Sequence, residues 1–170
     1  MKYDKIVFEG PNNVGKSTLI KELRKYLDFE VEHVTAICPN DYRFYNDLLS
    51  AMEPMIFDRL HLGEMIYPIV YDRDGKLSTE EFDKLLVEHK DRVLIVIVDA
   101  DYDFMIRAAQ SKREFFDYEE SKKERSAYYD MWLRLRGMES IGVKAIRIKN
   151  HWDDETKSVL VGRLIEELER

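Results

Sequence analysis

The stretch that decides the fold of this chain reads Gly10-Pro11-Asn12-Asn13-Val14-Gly15-Lys16-Ser17. It fits the pattern G-x-x-x-x-G-K-[S/T] of a phosphate-binding loop. Residues 2–9, directly before it, have the apolar centre of a buried parallel strand. After it, apolar residues recur at helical spacing: Leu19, Ile20, Leu23, Tyr26 and Leu27. A strand, a glycine loop and a helix in this order are the context that such a loop requires.

The residue types of this loop suit the binding of phosphate groups. Gly10 and Gly15 allow backbone conformations that a side chain would block, so successive N–H groups can face phosphate oxygens. The helix that follows adds unpaired N–H groups and the positive end of its dipole. We expect Lys16 to reach the β- and γ-phosphates of a nucleotide and the Ser17 hydroxyl to bind Mg²⁺. The predicted nucleotide-binding segment is completed by Asn12, Asn13, Val14 and Thr18.

The composition indicates one globular domain with an ordinary hydrophobic core. The chain has 170 residues, of which 45% are hydrophobic and 36% charged, and it contains no low-complexity tract. Its net charge of -7 argues against a general electrostatic grip on nucleic acid, while leaving room for a local basic cleft. The single cysteine, Cys38, fits a reducing compartment. The longest apolar run, residues 93–98, is too short to span a membrane, so we expect a cytoplasmic protein.

Strand-like and helix-like segments alternate along the chain. Strands are predicted at residues 2–9, 29–34, 55–57, 92–98 and 143–148. Helices are predicted after the loop and at residues 41–52, 60–71, 78–89, 101–110 and 117–138, and a closing one is capped by Asp153 or Asp154. The long helix 117–138 is predicted to bury Tyr128, Tyr129, Trp132, Leu133 and Leu135. This alternation predicts an α/β protein in which a parallel sheet of about five strands lies between helix layers.

Charged residues follow two of the predicted strands. Asp58-Arg59 come directly after residues 55–57, and Asp99 follows residues 92–98. Parallel α/β sheets bind their ligands at the carboxyl ends of the strands, so we expect a site here. Asp99 could serve a metal indirectly or cap the next helix, and the sequence leaves both roles open. Residues 72–75 are predicted to be a plain turn, because most ligand positions of a calcium loop are missing.

Four stretches of the sequence belong together: Phe8 to Thr18; Asp58-Arg59 with Gly63-Glu64 and Tyr67; Val98 to Asp101 with Arg107, Lys112 and Arg113; and the helix with Arg125, Tyr128 and Tyr129. In these stretches, and in their order, the sequence resembles the thymidylate kinase and deoxynucleoside kinase branch of the P-loop kinases. Together they span nearly the whole chain. The resemblance implies a three-layer α/β/α P-loop kinase fold, formed by residues 1–170 as a single domain with a lid around residues 108–118.

The resemblance also implies roles for the residues at the strand ends. Lys16 and Ser17 would hold the donor phosphates and Mg²⁺, with Asp58 near the metal as its second protein ligand. Arg59 would contact the acceptor phosphate or stabilise the transferring group. Phosphoryl transfer depends on positioning and positive charge more than on covalent chemistry, and these residues supply both. ATP and Mg²⁺ are therefore the implied cofactors.

The lid carries the remaining implied roles. Arg113, with Lys112, would close over the phosphates as a further catalytic cation. Arg107 would seat the adenine of ATP or brace the lid. The resemblance further implies a homodimer that binds a small-molecule nucleotide, with no membrane partner.

The acceptor of the phosphoryl group is left open by these residues. Asp58-Arg59 matches monophosphate kinases better than the Glu-Arg pair usual in nucleoside kinases. The leading prediction is therefore ATP- and Mg²⁺-dependent transfer to a deoxynucleoside monophosphate, which gives the diphosphate. Asn12 stands where thymidylate kinases usually have an aspartate that holds the acceptor sugar, so the identity of the acceptor stays open.

Three alternatives remain beside that prediction. A deoxynucleoside kinase would need a carboxylate base, for which Glu30 and Glu32 are the candidates. A kinase of a modified-base hydroxyl in DNA and a nucleotide-binding regulator without turnover are the other two. Candidate aromatic residues for a base pocket are Tyr42, Phe44, Tyr45, Tyr67 and Phe116. Trp152 could edge the adenine pocket or simply pack.

Overall fold

The computed structural model of the chain describes residues 1–35, 37–151 and 154–169. Within these residues the strands are β1 (Lys5–Glu9), β2 (Glu30–Glu32), β3 (Met55–Asp58), β4 (Val93–Ala100) and β5 (Lys144–Asn150). The helices are α1 (Lys16–Leu23), α2 (Tyr42–Ser50), α3 (Gly63–Tyr71), α4 (Thr79–Glu88), α5 (Tyr102–Ser111), α6 (Tyr118–Gly137) and α7 (Asp154–Glu169). No described helix is both long and apolar enough to cross a membrane.

All five strands are parallel and form one sheet in the order β2-β3-β1-β4-β5. β1 is the central strand, and its Phe8 is paired with Asp58 on one side and with Val96 on the other. This register brings the carboxyl ends of β1, β3 and β4 to the same edge of the sheet. The loop that follows β1 therefore lies between the residues that follow β3 and β4, as the alternation of strands and helices predicts.

Helices cover both faces of the sheet, because successive residues of a buried strand point to opposite faces. On one face, Ile6 and Phe8 belong to a core shared with α1 and α7. On the other face, Val7 belongs to a core shared with α2, α3, α4 and α6. The three-layer α/β/α architecture predicted from the sequence is confirmed.

Two helices begin at caps that the sequence predicts. Asp41, one of two candidates for the start of α2, accepts a hydrogen bond from the backbone N–H of Phe44 at 2.8 Å. Ser78 and Glu81 form the predicted capping box of α4. Of the two candidate caps for α7, Asp153 lies outside the described residues, as does Trp152, and Asp154 is the first residue of the helix.

The buried face of α6 differs from the prediction. Tyr129 and Leu133 are 44% and 48% exposed, respectively. The buried stripe consists of Ser121, Glu124, Tyr128, Met131 and Leu135. Tyr128 and Leu135 are buried as predicted, and Trp132 is partly buried against the core. Two polar residues occupy this stripe, so the apolar pattern alone shifted the predicted face towards Tyr129 and Leu133. Tyr26 is exposed for a different reason, since α1 ends at Leu23.

Candidate active site

A cleft of about 640 Å³ opens at the carboxyl ends of β1 and β3. Its loop wall consists of residues from the phosphate-binding loop and residues on and after α5: Asn12, Asn13, Gly15, Lys16, Ser17, Thr18, Phe104, Ala108, Ser111, Lys112 and Glu114. Its α3 wall consists of residues from the segments around β2, α2 and α3: His33, Val34, Thr35, Asn40, Tyr45, Gly63, Glu64, Tyr67 and Arg73. Asp58 and Arg59 lie where the two walls join.

The shape of the loop depends on two glycines that contact other strands. Gly10 has a φ of +144°, and a Cβ there would stand 2.1 Å from the carbonyl oxygen of Val98. Gly15 has a φ of +86°, and a Cβ there would stand 2.3 Å from the Nδ2 of Asn150. Asn150 also donates to the carbonyl of Val14 at 2.9 Å. The ends of β4 and β5 therefore support the loop, and only glycine fits at the two points of contact.

Lys16 is buried within the loop. Its Nζ donates to the carbonyl oxygens of Gly10 and Pro11 at 2.9 and 2.8 Å. Burial, together with the nearby positive charge of Arg59, lowers the pKa of Lys16 to about 7. A phosphate anion beside this amine would favour its charged form, because an opposite charge offsets the cost of burial.

Ser17 and Asp58 are brought together as the sequence predicts. The Ser17 hydroxyl donates to Oδ2 of Asp58 at 2.7 Å, and Asp58 is buried. Both are hard oxygen donors of the kind that Mg²⁺ prefers, and Mg²⁺ commonly takes one or two protein ligands beside water and phosphate oxygens. In the described part of the chain, no group of three or more His, Cys, Asp or Glu side chains is arranged to hold a metal ion. The pair therefore fits a Mg²⁺ that arrives with a nucleotide.

Two arginines flank one tyrosine ring at the edge of the cleft. The guanidinium of Arg59 lies 5.1 Å from the ring centroid of Tyr67, and that of Arg73 lies 5.9 Å from it. Arg59 also donates to Oδ1 of Asn12 at 2.7 Å, and Arg73 lies 3.7 Å from the buried carboxylate of Glu64. An adjoining cleft of about 360 Å³ is lined by both arginines. Paired cations of this kind suit a phosphate group.

Arg73 was not predicted as a site residue, and nothing in its turn signals the role. Asp72, the residue before it, has a left-handed backbone with a φ of +48° and ends α3. The backbone N–H of Arg73 then donates to the carbonyl of Pro68 at 3.1 Å. The chain thus folds back against α3, which places Arg73 beside Tyr67.

Buried Glu9 fixes the turn that carries Arg59. Its carboxylate accepts hydrogen bonds from the backbone N–H of Leu60 at 2.8 Å and from the hydroxyl of Tyr128 at 3.0 Å. Complete burial raises the pKa of Glu9, although these two hydrogen bonds oppose the shift. Arg59 itself has a left-handed backbone, with a φ of +74°. The conformation of this turn is therefore maintained by the end of β1 and by α6.

Glu124 is a second buried carboxylate at the loop, and it is 1% exposed. Its Oε2 accepts from the backbone N–H of Asn12 at 2.9 Å. Its Oε1 accepts from Nδ2 of Asn12 at 3.1 Å and from the hydroxyl of Tyr71 at 2.7 Å. The sequence does contain a signal for it, since Glu124 falls in the three-four spacing of the buried stripe of α6, where a carboxylate needs partners.

Asp99 does not cap the next helix, and the indirect metal role stays a prediction. Its carboxylate accepts from Arg125 at 2.9 Å, from Arg147 at 2.7 Å and from the backbone N–H of Ala100 at 2.8 Å. Burial opposes ionisation of Asp99, but the hydrogen bonds from Arg125 and Arg147 outweigh it and lower the pKa. The N-cap position of α5 is occupied by Asp101 instead. Asp99 therefore ties β4 to β5 and α6.

The segment after α5 brings Lys112 to the loop. Lys112 Nζ donates to Oδ1 of Asn13 at 2.9 Å, and Lys112 lines the cleft. Arg107 and Arg113 are exposed and do not line it. Arg113 has a left-handed backbone with a φ of +60°. The roles that the resemblance implies for these two arginines stay predictions.

The cleft admits only some of the aromatic candidates. Tyr45 and Tyr67 line it, whereas Tyr42, Phe44 and Phe116 do not. Phe104, on α5, was not among the candidates but lines the cleft as well. The Tyr45 hydroxyl donates to Oδ1 of Asn40 at 3.0 Å, and Asn40 in turn donates to the carbonyl of Thr35 at 3.0 Å. These contacts hold the segment after β2 against α2.

No family model matches the chain, and no curated protein matches it. Among solved structures, the YorR protein from Bacillus subtilis in complex with phosphorylated GDP is similar over 98% of both chains, with a TM-score of 0.76 and 16% identity. Deoxyadenosine kinase from M. mycoides with bound dCTP is similar over 96% of this chain and 99% of its own, with a TM-score of 0.62 and 15% identity. A gluconokinase from Sinorhizobium meliloti 1021 is similar over 96% of this chain and 94% of its own, with a TM-score of 0.60 and 14% identity. The chain has the three-layer fold of the P-loop kinases.

Proposed function

We propose that this protein transfers the γ-phosphoryl group of ATP, with Mg²⁺, to the phosphate of a deoxynucleoside monophosphate, giving ADP and the diphosphate. One observation carries the proposal. The phosphate-binding lysine, the Ser17–Asp58 pair and the Arg59–Tyr67–Arg73 group all border the same cleft. A donor nucleotide and an anionic acceptor can thus meet where positive charge and a site for Mg²⁺ are already in place.

The reaction needs little covalent chemistry from the protein. An oxygen of the acceptor phosphate bonds to the γ-phosphorus, the bond to the β–γ bridging oxygen breaks, and ADP leaves. Charge is spread over the transferring group, so catalysis rests on positioning and on fixed cations. Lys16 would contact the β- and γ-phosphates, and Ser17 with Asp58 would hold the Mg²⁺. The ion, when bound, supplies positive charge to the phosphate oxygens.

The cations near Tyr67 favour a monophosphate over a nucleoside. A monophosphate is already ionised and needs positive charge, whereas a sugar hydroxyl needs a base to take its proton. Arg59 and Arg73 supply the charge. Glu30 and Glu32, the candidate bases, are exposed on β2 and do not line the cleft. That YorR was solved with phosphorylated GDP, and the deoxyadenosine kinase with dCTP, also supports a nucleotide in this cleft.

A deoxynucleoside kinase is the second candidate, because two carboxylates other than those predicted line the cleft. Asp58 and the buried Glu64 both border it, and either could accept a proton from a hydroxyl. The similarity to deoxyadenosine kinase is in keeping with this candidate. The identity of the acceptor separates the two functions directly.

The test measures ATP- and Mg²⁺-dependent ADP release with all deoxynucleoside monophosphates, their nucleosides, 5-modified thymidine analogues and duplex DNA, and identifies the products by mass. We expect turnover with at least one monophosphate. Turnover with nucleosides alone would replace the proposal by the second candidate, and activity confined to DNA would indicate a kinase of modified bases. Tight nucleotide binding without turnover on any acceptor would indicate a regulator.

We also propose a homodimer, a cytoplasmic location and a lid around residues 108–118, which the family resemblance implies. The mass of one chain is 20.3 kDa, so light scattering of the purified protein should give twice that value. A mass equal to one chain at micromolar concentration would contradict the dimer.

Protection of residues 108–118 from hydrogen exchange on nucleotide binding would support the lid.

A further inference from the structure

We propose that Glu124 is a positioning residue that fixes Asn12 in the loop and, through Asn12, the guanidinium of Arg59. The inference rests on the proposed function in one respect, since it takes Arg59 to act on the acceptor phosphate. Glu124 lies on α6, outside the loop and outside the residues that line the cleft. It acts through its hydrogen bonds and touches neither nucleotide directly.

The hydrogen bonds around Asn12 require both a donor and an acceptor from its side chain. Its Nδ2 must donate, because it faces the Glu124 carboxylate at 3.1 Å. Its Oδ1 must accept, because it faces Arg59 at 2.7 Å. The amide of asparagine offers a donor to one side and an acceptor to the other, whereas a carboxylate offers only acceptors. Glu124 is thus the partner that disfavours a carboxylate at position 12.

An aspartate at position 12 would disturb both contacts. It would place a second carboxylate about 3 Å from Glu124, and two like charges at that distance do not both stay ionised at low cost. It would also pair the Arg59 guanidinium with a negative charge. With asparagine, the partner of Arg59 is neutral, so its charge remains available to an acceptor phosphate.

Glu124, which lies on α6, also links the loop to α3. Tyr71, the last residue of α3, has its hydroxyl 2.7 Å from Glu124 and 2.8 Å from Glu120, and it can donate to either carboxylate. α6 begins directly after the segment that carries Lys112. The loop, α3 and α6 therefore meet at one carboxylate that is shielded from solvent.

The test is a reciprocal exchange of the two side chains. Asn12→Asp and Glu124→Gln each leave a repulsive or unpaired contact, so each should lower kcat about tenfold or more. In the double variant, the amide introduced at position 124 can donate to the carboxylate introduced at position 12 and to the Tyr71 hydroxyl, which still donates to Glu120. The double variant should therefore recover kcat to within about threefold of the wild type. Its KM for the acceptor should stay raised, because the carboxylate now at position 12 neutralises Arg59.

Glu120→Gln is the matched control, since Glu120 also bonds Tyr71, whereas the described hydrogen bonds of Asn12 go to Glu124 and Arg59. We expect it to keep wild-type kcat. A double variant no better than the worse single variant would overturn the proposal. So would single variants that lose only thermal stability while kcat per folded molecule is unchanged, because that result indicates a purely structural role.

Failure of the proposed function can be told apart from failure of this inference. If the wild type transfers phosphate to no acceptor, the proposed function is wrong, and the affinity for Mg²⁺-ATP of the same set of proteins becomes the readout. Loss of affinity in both single variants and its return in the double variant would still support Glu124 as the residue that positions the loop. Unchanged affinity in the single variants, or no return in the double, would overturn it.

Discussion

The two walls of the cleft differ in what determines their shape, which is the backbone in one and the side chains in the other. The loop wall joins the phosphate-binding loop to residues on and after α5, and the shape of the loop depends on its backbone: Gly10 and Gly15 adopt left-handed conformations where a Cβ would strike Val98 and Asn150. The α3 wall collects side chains from separate segments, among them Tyr45, Tyr67 and Arg73. Where the backbone determines the shape, a substitution that adds even one side-chain atom is poorly tolerated. Where side chains form the wall, a substitution can alter which ligand the wall binds. The difference predicts distinct consequences for changes in each wall.

Removing the lysine of the loop wall should have the largest effect on activity. Lys16→Ala should lower the rate of phosphoryl transfer about 10³-fold, because a fixed cation at the transferring phosphate is lost. Burial lowers the pKa of the amine, so part of it is uncharged in the folded protein. Its removal should therefore cost little stability, and the melting midpoint should stay near that of the wild type. Steady-state kinetics and thermal unfolding measure the two quantities. Near-wild-type rates would contradict the role given to the loop.

Adding one methyl group to the loop wall should destabilise the fold. Gly10→Ala places a Cβ 2.1 Å from the Val98 carbonyl at a φ of +144°, so we expect a loss of about 3 kcal/mol or more in the free energy of unfolding. Gly162→Ala is the control, because it lies within α7 with no atom within 4 Å of the added Cβ. That change should raise the free energy of unfolding by about 0.5–1 kcal/mol. Urea unfolding of both variants tests the contrast.

Removing a cation from the α3 wall should affect the acceptor alone. Arg73→Ala should raise KM for the acceptor monophosphate about 10- to 100-fold, the value of one charge-assisted hydrogen bond, and leave KM for ATP unchanged. Arg136→Ala is a matched control, because that arginine lies on α6 and pairs with Glu139 outside the cleft. An equal rise in KM for both substrates would mean that the two walls do not act separately.

The packing behind the α3 wall should make stability depend on pH. The ring of His61 is buried and lies 6.1 Å from that of Tyr45, and neither ring nitrogen has a hydrogen-bond partner among the described residues. Burial, with a smaller contribution from His89, lowers the pKa of His61 to about 3. Between that value and the ordinary pKa of about 6.5, the unfolded chain binds more protons than the folded one. Stability is therefore lost as the pH falls through this window.

From pH 7 to pH 5, His61 should account for about 1 to 2 kcal/mol of the loss in the free energy of unfolding. His61→Leu removes the titrating group, and carboxylates that titrate in the same range are present in both proteins. The difference between the two proteins in urea unfolding at pH 7 and pH 5 isolates the histidine. An identical loss in both would contradict the buried neutral ring.

The phosphate-binding loop and the sheet could be predicted because their signals are local. The glycine pattern, the apolar strands and the caps at Asp41 and Ser78 each lie within a few residues of the structure they determine. The rest of the cleft could be predicted only in part. Arg59 follows a recognisable strand, but Arg73 reaches the cleft through a turn whose letters indicate only a turn.

The buried face of α6 could be predicted only in part, for a related reason. Ser121 and Glu124 lie in its buried stripe, so counting apolar residues moved the predicted face towards Tyr129 and Leu133. Glu124 is buried because Asn12 and Tyr71 satisfy its oxygens, and those partners are far away in the sequence. Periodicity reports on apolar packing and carries no information about such distant hydrogen bonds.

The contact between Asn150 and the loop affects the order in which parts of the chain fold. Asn150 donates to the carbonyl of Val14 across a separation of 136 residues, and its amide fills the space beside Gly15. Contacts this distant in sequence form late, because a long intervening chain must first be ordered. During synthesis, the residues of the loop emerge early but cannot complete their shape until β5 has joined the sheet. A chain truncated before Asn150 would therefore carry the glycine motif without the support that β5 gives to the loop.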